Sequence, residues 1–380
     1  MKLPEDFVLP AYGQSTLSDL LPSIGAHLGV DGCRDDRLGL PSAKRYVVLL
    51  VDGLGHQLLG RSLRHLGWSS EVYGDALTLT AGIPSTTATS LTCLGTGCTP
   101  GEHGMAGYSF LAPGEKHAMN ALTWEGGPSE PEVFQSIPTM FERAAATRVQ
   151  VTSIGPGRFE GSGMTRAALR GAEFVTVDEA DNAARITATV EASRRGEASL
   201  VYVYERHLDH TGHGKGVASQ AWLDTLIHID EFAGSLREAL DDEVCLLVTG
   251  DHGMIDVPTE RHIIVEDHPI LLKGVELFAG EGRFRQLWAT SPEKVASRWR
   301  SELGERALVV TGDEAVAAGW FGDMSSRVRP RFGDVLVAMR DDWAVMSRAL
   351  ERELGLVGQH GSLTRAEMLV PLLIDHPESW

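Results

Sequence analysis

The sequence predicts an α/β fold, a three-layer sandwich with a mostly parallel central sheet and a small cap or inserted subdomain. Three apolar runs lead to this prediction, because strands buried on both faces of a parallel sheet read as continuous stretches rich in Val and Leu. They are residues 45–52 (RYVVLLVD), 198–205 (ASLVYVYE) and 243–251 (EVCLLVTGD). Between the last two, residues 218–240 carry apolar side chains at helical intervals, as expected of a helix that connects parallel strands.

Shorter patterns predict the remaining elements. We expect strands at residues 72–79, 148–154, 173–177, 283–289 and 334–339, and helices at residues 178–195 and 292–303. Residues 258–358 mix short strands with helices, and we assign this segment to the cap or inserted subdomain. Residues 1–380 are otherwise treated as a single domain, because α/β proteins with one large sheet reach this length.

Composition excludes several classes of partner. The chain has 52 acidic and 34 basic residues, and its formal net charge of -18 repels nucleic acid polymers and anionic membrane surfaces. The start of the sequence shows neither a secretory signal nor a membrane anchor, so we expect a cytoplasmic protein. The cysteines have no CxxC spacing and are assigned no chemistry: Cys33, Cys93, Cys98 and Cys245.

Polar residues follow each of the three predicted parallel strands. Asp52 ends the first strand, residues 205–213 follow the second, and Asp251 and His252 follow the third. Ligands of open parallel sheets bind beyond the carboxyl ends of the strands. We therefore expect these side chains to meet at one edge of the sheet.

A run of hydroxyl side chains occupies residues 82–97 (GIPSTTATSLTCLGTG), between a strand end and a helix that closes at glycine. A hydroxyl at the start of that helix lies where free N–H groups and the helix dipole stabilise an anion. Taken alone, the run is explained better by an ordinary helix N-cap. The residues concerned are Ser85, Thr86 and Thr87.

Several Asp and His residues have the spacing of metal ligands. Asp209 and His213 are four positions apart, so one helical turn can point both at one ion, although a solvated polar loop is the alternative. Asp251 and His252 are adjacent, with glycines on both sides that permit a sharp turn, and a capping Asp beside a surface His is the alternative. His360 is a candidate metal ligand only because the other residues of this set are present.

In this order, the motifs resemble those of the alkaline phosphatase superfamily, and most closely its nucleotide pyrophosphatase/phosphodiesterase branch. The resemblance spans about residues 45–373 and includes PSTTATSLTCLGTG, PGEHGM at residues 100–105 and HGS near the C-terminus. It implies an alkaline phosphatase-like catalytic domain with two divalent ions, zinc in the first place and Mn²⁺ or Mg²⁺ as alternatives. The implied ligands are Asp209, His213 and His360 for one ion, and Asp52, Asp251, His252 and the oxygen of Thr87 for the other.

The resemblance also implies roles in catalysis and substrate binding. Thr87, nine places before Thr96, is the implied nucleophile, with Thr86 as the fallback. Ser90 is expected to donate one hydrogen bond to a nonbridging phosphate oxygen. The loop after the hydroxyl run supplies three aromatic candidates for stacking on a base: Tyr108, Phe110 and Trp124.

The implied activity is that of a phosphodiesterase or nucleotide pyrophosphatase, a phosphoric diester hydrolase acting on a small, nucleotide-like phosphoester through a phospho-threonine intermediate. Two divalent ions and three aspartates leave the site near plus one, which suits a diester monoanion better than a monoester dianion. Arg206 or Lys215 could supply the extra positive charge that a monoester needs.

Other functions remain open at this stage. A phosphomonoesterase or phosphomutase of the same superfamily is the main alternative, whereas a sulfatase would need Cys or Ser in place of Thr87. A catalytically silent metal-binding module is disfavoured, because every ligand position holds a competent ligand. The sequence leaves the oligomeric state open.

Overall fold

A seven-stranded sheet lies at the centre of the molecule, which the computed structural model describes from residue 3 to residue 376. The strands are, in chain order, β1 (Arg45–Val51), β2 (Leu77–Thr80), β3 (Ser109–Leu111), β4 (Ala118–Asn120), β5 (Gln150–Gly155), β6 (Glu173–Thr176), β7 (Ser199–Glu205), β8 (Val244–Gly250), β9 (Ile255–Asp256), β10 (His262–Ile264), β11 (Leu277–Glu281), β12 (Phe284–Trp288), β13 (Ala307–Thr311), β14 (Val335–Met339), β15 (Ala344–Met346), β16 (Gly358–Gln359) and β17 (Leu369–Asp375).

The helices surround this sheet and the smaller sheets. They are, in chain order, α1 (Leu17–His27), α2 (His56–Ser62), α3 (Trp68–Val72), α4 (Thr87–Thr96), α5 (Pro100–His103), α6 (Pro131–Phe134), α7 (Met140–Ala146), α8 (Gly163–Ala168), α9 (Asn182–Ser193), α10 (His207–Lys215), α11 (Gln220–Ala239), α12 (Pro269–Leu272), α13 (Pro292–Leu303), α14 (Gly312–Ala317), α15 (Glu351–Leu354) and α16 (Arg365–Met368). In residues 3–376, no helix combines the length and the apolar character needed to cross a membrane.

The central sheet has the strand order β2-β17-β8-β1-β7-β5-β6. Strands β8, β1, β7, β5 and β6 are parallel, and β17 runs antiparallel to both of its neighbours. The sheet is therefore mostly parallel, as predicted from the three apolar runs.

Strand β1 shows why these runs are apolar without interruption. Successive side chains of a strand point to opposite faces, and both faces of this sheet are covered. One face packs against α1, α4 and α7, and the other against α9 and α11, so the fold has the predicted three layers. The side chains of β1 divide between the two cores as Tyr46, Val48 and Leu50 on one face, and Val47, Leu49 and Val51 on the other.

A second, antiparallel sheet has the order β11-β12-β14-β13 and lies within residues 258–358. It has its own apolar core, in which Trp299 of α13 packs with Leu287 and Val337. The segment predicted as a cap or inserted subdomain thus contains a separate sheet. Residues that follow the last strand of this segment before β16, which is β15, form part of one wall of the cavity described below.

The structure corrects two of the predicted elements. Residues 68–72 form α3, and a 3-10 turn at Tyr73–Asp75 follows, so the strand predicted at residues 72–79 begins only at Leu77. The helix predicted at residues 178–195 begins at Asn182, because the side chain of Asp181 accepts a hydrogen bond from Ala184 N and caps it there. The remaining predicted strands and helices agree with the structure to within about two residues at each end.

Candidate active site

The register of the parallel strands brings the predicted acidic residues together. Val51, at the end of β1, is paired with Glu205 of β7 and Gly250 of β8. Asp52 and Asp251 therefore follow at the same level on neighbouring strands. The backbone N–H of Asp52 donates to Glu205 O at 2.8 Å, and that of Gly53 donates to Asp251 Oδ1 at 2.9 Å, which holds the two turns in place.

Asp52, Asp251 and His252 form what we call the Asp52 cluster. Each contributes one potential ligand atom, and these atoms all lie within 4.8 Å of one another. His252 Nε2 is 3.4 Å from Asp52 Oδ1 and 3.5 Å from Asp251 Oδ2. All three side chains are buried, so the structure brings together three of the predicted ligands.

The glycines beside Asp251 and His252 are required by close packing. A side-chain carbon on Gly253 would lie 1.9 Å from Ala366 O, and one on Gly250 would lie 2.2 Å from Leu54 O. Neither glycine has a positive φ. The small size of glycine, rather than the predicted sharp turn, explains its presence here.

Asp209, His213 and His360 form a second group, the Asp209 cluster, whose ligand atoms also lie within 4.8 Å of one another. Helix α10 places Asp209 and His213 one turn apart, with Asp209 Oδ1 3.3 Å from His213 Nε2. His360 Nε2 approaches the same oxygen at 3.8 Å. The three remaining predicted ligands are thus also adjacent.

The two clusters are in direct contact. The rings of His252 and His360 stack with centroids 3.6 Å apart, and the ring of His213 lies 5.1 Å from that of His360. All six predicted Asp and His ligands consequently belong to one continuous site.

The histidines are oriented as metal ligands are. In each ring Nδ1 faces a backbone carbonyl, which can only accept, so Nδ1 is a donor and Nε2 is the nitrogen left to bind a metal ion. The Nδ1 distances are 2.7 Å from His213 to Gly358 O, 2.9 Å from His252 to Gly253 O, and 2.9 Å from His360 to Ser85 O.

The carboxylates are also suited to cations. Within residues 3–376, Asp209 Oδ1 and Asp251 Oδ2 are buried without a hydrogen-bond partner. Burial, reinforced by Asp52, raises the pKa of Asp251 well above its usual range, and burial raises the pKa of Asp209 to about 6. Two of the three crowded carboxylates thus resist ionisation in the absence of a cation, as expected of a site whose counter-charge is a bound metal ion. The six side chains therefore fit two divalent ions.

The electrostatic environment of the histidines differs between the clusters. Burial lowers the pKa of His252, but the carboxylates of Asp251 and Asp52 outweigh burial and raise it to about 10. Burial, reinforced by His252 and His213, lowers the pKa of His360 well below its usual range. A neutral His360 keeps Nε2 available as a ligand.

Thr87 is the hydroxyl residue that meets the Asp52 cluster. It is the first residue of α4, and its Oγ1 lies 3.4 Å from Asp52 Oδ1 and 3.2 Å from His252 Nε2. Thr86 is the N-cap residue, and its hydroxyl donates to Thr89 Oγ1 at 3.3 Å. Ser85 donates instead to Ser362 O at 2.7 Å. The geometry thus selects Thr87 among the three hydroxyls.

A cavity of about 630 Å³ opens beside Thr87 and both clusters. Its walls include Tyr108, Arg158 and Arg206. The stacking of Tyr108 on a base stays a prediction. A largely apolar portion of the wall comes from Leu91, Ile154, Phe159, Met164, Leu169 and Phe174.

The other predicted substrate-binding residues lie elsewhere. Phe110 is fully buried in the core, so the prediction that its ring stacks on a ligand is wrong. Trp124 packs edge-on against Phe134 and donates to Pro128 O at 2.7 Å, outside the cavity wall. Ser90 is buried, and in the described part of the chain its Oγ has no partner. Its hydrogen bond to phosphate stays a prediction.

Sequence reasoning missed several residues of the site. Tyr204 lies near the end of β7 and donates its hydroxyl to Asp52 Oδ2. The ring of Phe159 packs against that of Tyr204 at the cavity. Glu179 binds both cavity arginines, Arg206 through two hydrogen bonds at 2.9 and 3.0 Å. Tyr204 could have been found, because it lies next to the polar end of a predicted strand.

The mostly parallel central sheet with helices on both faces is an alkaline phosphatase-like fold. The chain belongs to the type I phosphodiesterase/nucleotide pyrophosphatase family, whose model matches residues 46–363. This match confirms the family that the sequence motifs indicated.

Relatives by sequence include ectonucleotide pyrophosphatase/phosphodiesterase family member 7 of Rattus norvegicus, which is 29% identical over 115 residues, or 29% of this chain and 26% of the relative. The Mus musculus counterpart is 36% identical over 77 residues, or 19% of this chain and 18% of the relative. The matched segment thus spans about a quarter or less of each curated relative.

Solved structures share the fold over nearly the whole chain. Murine ectonucleotide pyrophosphatase/phosphodiesterase 5 has a TM-score of 0.65 at 14% identity and covers 88% of both chains. Phosphonoacetate hydrolase from Sinorhizobium meliloti 1021, in complex with phosphonoformate, has a TM-score of 0.68 at 15% identity, with 89% of this chain and 92% of that chain covered. At such identities the likeness establishes the fold.

Proposed function

We propose that the protein hydrolyses phosphodiester or phosphoanhydride bonds of small, nucleotide-like molecules, with two divalent ions in the clusters and Thr87 as the nucleophile. One observation supports this most directly: Thr87 Oγ1 lies 3.4 Å from Asp52 Oδ1 and 3.2 Å from His252 Nε2, and Thr87 lines a substrate-sized cavity. Membership of a family of phosphodiesterases and nucleotide pyrophosphatases supports the same reaction class.

Zinc is the proposed metal, because the two imidazole nitrogens and one carboxylate of the Asp209 cluster are a typical zinc ligand set, and zinc also binds carboxylate oxygens such as those of the Asp52 cluster. Mn²⁺ and Mg²⁺ are the alternatives. When bound, the pair of ions supplies Lewis acidity that lowers the pKa of a coordinated hydroxyl and stabilises the charge that develops on the leaving oxygen.

The residues of the chain position and charge the nucleophile. Asp52 Oδ1 and His252 Nε2 position Thr87 Oγ1. Oγ1 loses its proton to solvent and attacks phosphorus, so that the Oγ1–P bond forms while the bond from phosphorus to the leaving oxygen breaks and that oxygen takes a proton from water. The free N–H groups at the start of α4 face the developing negative charge. Water then cleaves the phospho-threonine and regenerates Thr87.

The charges around the cavity favour a diester over a monoester. A monoester carries a second negative charge that needs an additional cation. Arg206 and Arg158 line the cavity, but Glu179 binds both of them, and these arginines lower its pKa to about 2. Lys215, the other predicted cation, is exposed outside the cavity wall. Glu179 neutralises one of the two charges and takes up hydrogen-bond donors of both guanidinium groups, which weakens their interaction with a dianion.

The cavity also offers aromatic surfaces to a nucleotide-like group. Phe159, Phe174 and Tyr108 line it, and such rings stack on planar bases. Among the structural neighbours, an inactive variant of murine ectonucleotide pyrophosphatase/phosphodiesterase 5, with one threonine replaced by alanine, was determined in complex with AMP. That complex supports a nucleotide-like ligand for this chain.

A panel of chromogenic monoesters and diesters, assayed with wild type and Thr87→Ala at measured metal content, tests the proposal. We expect wild type to prefer diesters, and Thr87→Ala to retain its metal while losing at least about 100-fold in turnover. Faster turnover of monoesters would favour the phosphomonoesterase alternative. Less than one ion per chain after zinc reconstitution would favour a silent binding module.

A further inference from the structure

Two buried polar side chains in the cavity wall have atoms without a protein partner. Glu281, the last residue of β11, is 9% exposed, and Gln359, in β16 next to His360, is 3% exposed. Among residues 3–376, no protein group hydrogen-bonds to Oε2 of Glu281 or to Nε2 of Gln359. Both residues line the cavity beside Thr87. Unsatisfied buried polar atoms are costly, so a pair of them on residues that line a ligand cavity indicates a binding role.

Glu281 and Gln359 lie side by side. A side-chain carbon on Gly282, the residue after Glu281, would lie 2.5 Å from Gln359 Oε1. One on Gly361 would lie 3.4 Å from Glu281 Cγ. The two glycines therefore bring β11 of the second sheet against the segment that carries His360. The free oxygen and the free amide belong to one corner of the cavity.

The other groups in this corner already have partners. Oε1 of Glu281 accepts from Tyr108 N at 2.9 Å. The buried cation Arg285 binds Glu353 and donates to Val345 O at 2.8 Å and to Gly280 O at 2.9 Å. No ion pair from Arg285 therefore satisfies Glu281, and its second oxygen is left for a ligand.

We propose that Glu281 and Gln359 bind a hydroxyl group of the substrate. The hydroxyl oxygen accepts from Nε2 of Gln359, and the hydroxyl shares a second hydrogen bond with Oε2 of Glu281. This inference rests on the proposed phosphoesterase function, and it adds a substrate class: phosphoesters of polyols or sugars, whose alcohol portion carries a free hydroxyl.

The chemistry of the pair selects a hydroxyl over other groups. A hydroxyl both donates and accepts, so it matches Glu281 as a carboxylate acceptor or as a protonated donor. Burial, together with nearby Glu353, raises the pKa of Glu281 to about 8, although the Tyr108 N–H lowers it, and a hydroxyl suits either form. An apolar group would leave both atoms unpaired, and a substrate ammonium would face the amide donor of Gln359.

Symmetrical diesters test the inference, because they present the same group on both sides of phosphorus whichever way they bind. The probes are diglyceryl phosphate, which carries hydroxyls, and dipropyl phosphate, which has the same charge and similar size without them. Dissociation constants are measured by calorimetry with zinc-loaded Thr87→Ala protein, in which hydrolysis is blocked. We expect diglyceryl phosphate to bind roughly 10-fold or more tightly than dipropyl phosphate. The reason is that dipropyl phosphate leaves one or both of the buried atoms of Glu281 and Gln359 without a hydrogen-bond partner.

Three further substitutions in the Thr87→Ala protein locate the preference. Glu281→Met and Gln359→Met keep the side-chain length and remove the polar end, so each should reduce the preference to about threefold or less while dipropyl phosphate binds as well as before or better. If Glu281 and Gln359 only stabilised the structure, their substitution would weaken the binding of both ligands to the same extent. Arg352→Met, an exposed residue of the same wall, is the control and should retain the preference. Gln359→Met decides the question if Glu281→Met does not fold.

Equal binding of the two probes, or an unchanged preference in both Met variants, overturns the hydroxyl site. If wild type also turns over a chromogenic diester, the proposed function survives that result. If no diester is bound or hydrolysed by the zinc-loaded protein, the proposed function and the hydroxyl site both fail.

Discussion

The imidazole rings of His252 and His360 stack with their centroids 3.6 Å apart and their planes 14° apart. Each ring belongs to a different cluster, so the stack fixes the position of one cluster relative to the other. The two clusters also share the buried environment that raises the pKa of Asp209 and Asp251. We therefore expect a substitution in one cluster to change the geometry and the metal affinity of the other.

Substitution of a ligand in the Asp52 cluster tests the assignment of this cluster as a metal site. Asp251→Asn keeps the size of the side chain but removes its charge and one anionic ligand atom. We expect zinc to bind at least about tenfold more weakly, with the total metal content of the chain reduced below that of wild type. Zinc titration followed by metal analysis measures both effects. Asp224→Asn, at the surface of α11, is the matched control, and an Asp251→Asn protein with two tightly bound ions would contradict the assignment.

The close packing behind the Asp52 cluster gives a prediction for stability. An added methyl group on Gly253 would collide with Ala366 O, 1.9 Å away, so the backbone must shift. We expect Gly253→Ala to lower the free energy of unfolding by about 1–3 kcal/mol. Gly74→Ala is the control, because a side-chain carbon there meets nothing within 4 Å. Urea unfolding that gives equal stability for the two variants would show that the backbone yields without cost.

A buried histidine outside the clusters predicts a pH dependence. Burial, reinforced by Arg331, lowers the pKa of His103 to about 3, against an ordinary value of about 6.5. Between these values the unfolded chain binds a proton that the folded protein does not, so His103 makes stability fall as the pH falls below 6.5. The slope from this one group approaches about 1.4 kcal/mol per pH unit.

Replacement of His103 removes this slope. His103 Nδ1 accepts from Met105 N at 3.0 Å, and His103→Asn retains a nearby acceptor. Unfolding in urea from pH 6.5 to 5.5, with both proteins free of added metal, should show the variant losing about 1 kcal/mol less than wild type. The exposed His228→Asn protein should follow wild type. Parallel curves for wild type and His103→Asn would mean that His103 takes up its proton without unfolding.

The ligand set and the sheet could be predicted because they depend on local pattern. A strand buried on both faces reads as an unbroken apolar run, and parallel strands place the residues that follow them at one edge. Asp52, Asp251 and His252 were found in this way. The order of the motifs then indicated the family. The direction of β17 could not be predicted, because an apolar run looks the same in either direction.

The cavity wall was harder to predict because it is assembled from distant segments. Phe110 and Phe159 are both aromatic residues outside the strands and helices predicted from the sequence, yet Phe110 lies in the core and Phe159 lines the cavity. Whether an aromatic side chain lines a cavity or packs in the core depends on which distant segments the fold brings against it. Glu281 and Gln359 carry no motif, and only their burial without a partner makes them visible.

The central claim is that Thr87 becomes covalently bonded to phosphorus during turnover. Zinc-loaded wild type is mixed with a chromogenic diester, quenched in acid on the millisecond scale, digested and examined by mass spectrometry. The account predicts that the peptide containing Thr87 carries the phosphoryl group together with the ester group that did not leave, as a phosphodiester formed at a rate no slower than turnover and absent from Thr87→Ala. Turnover with no phosphorylated Thr87, or phosphate found on Thr86 instead, would contradict it.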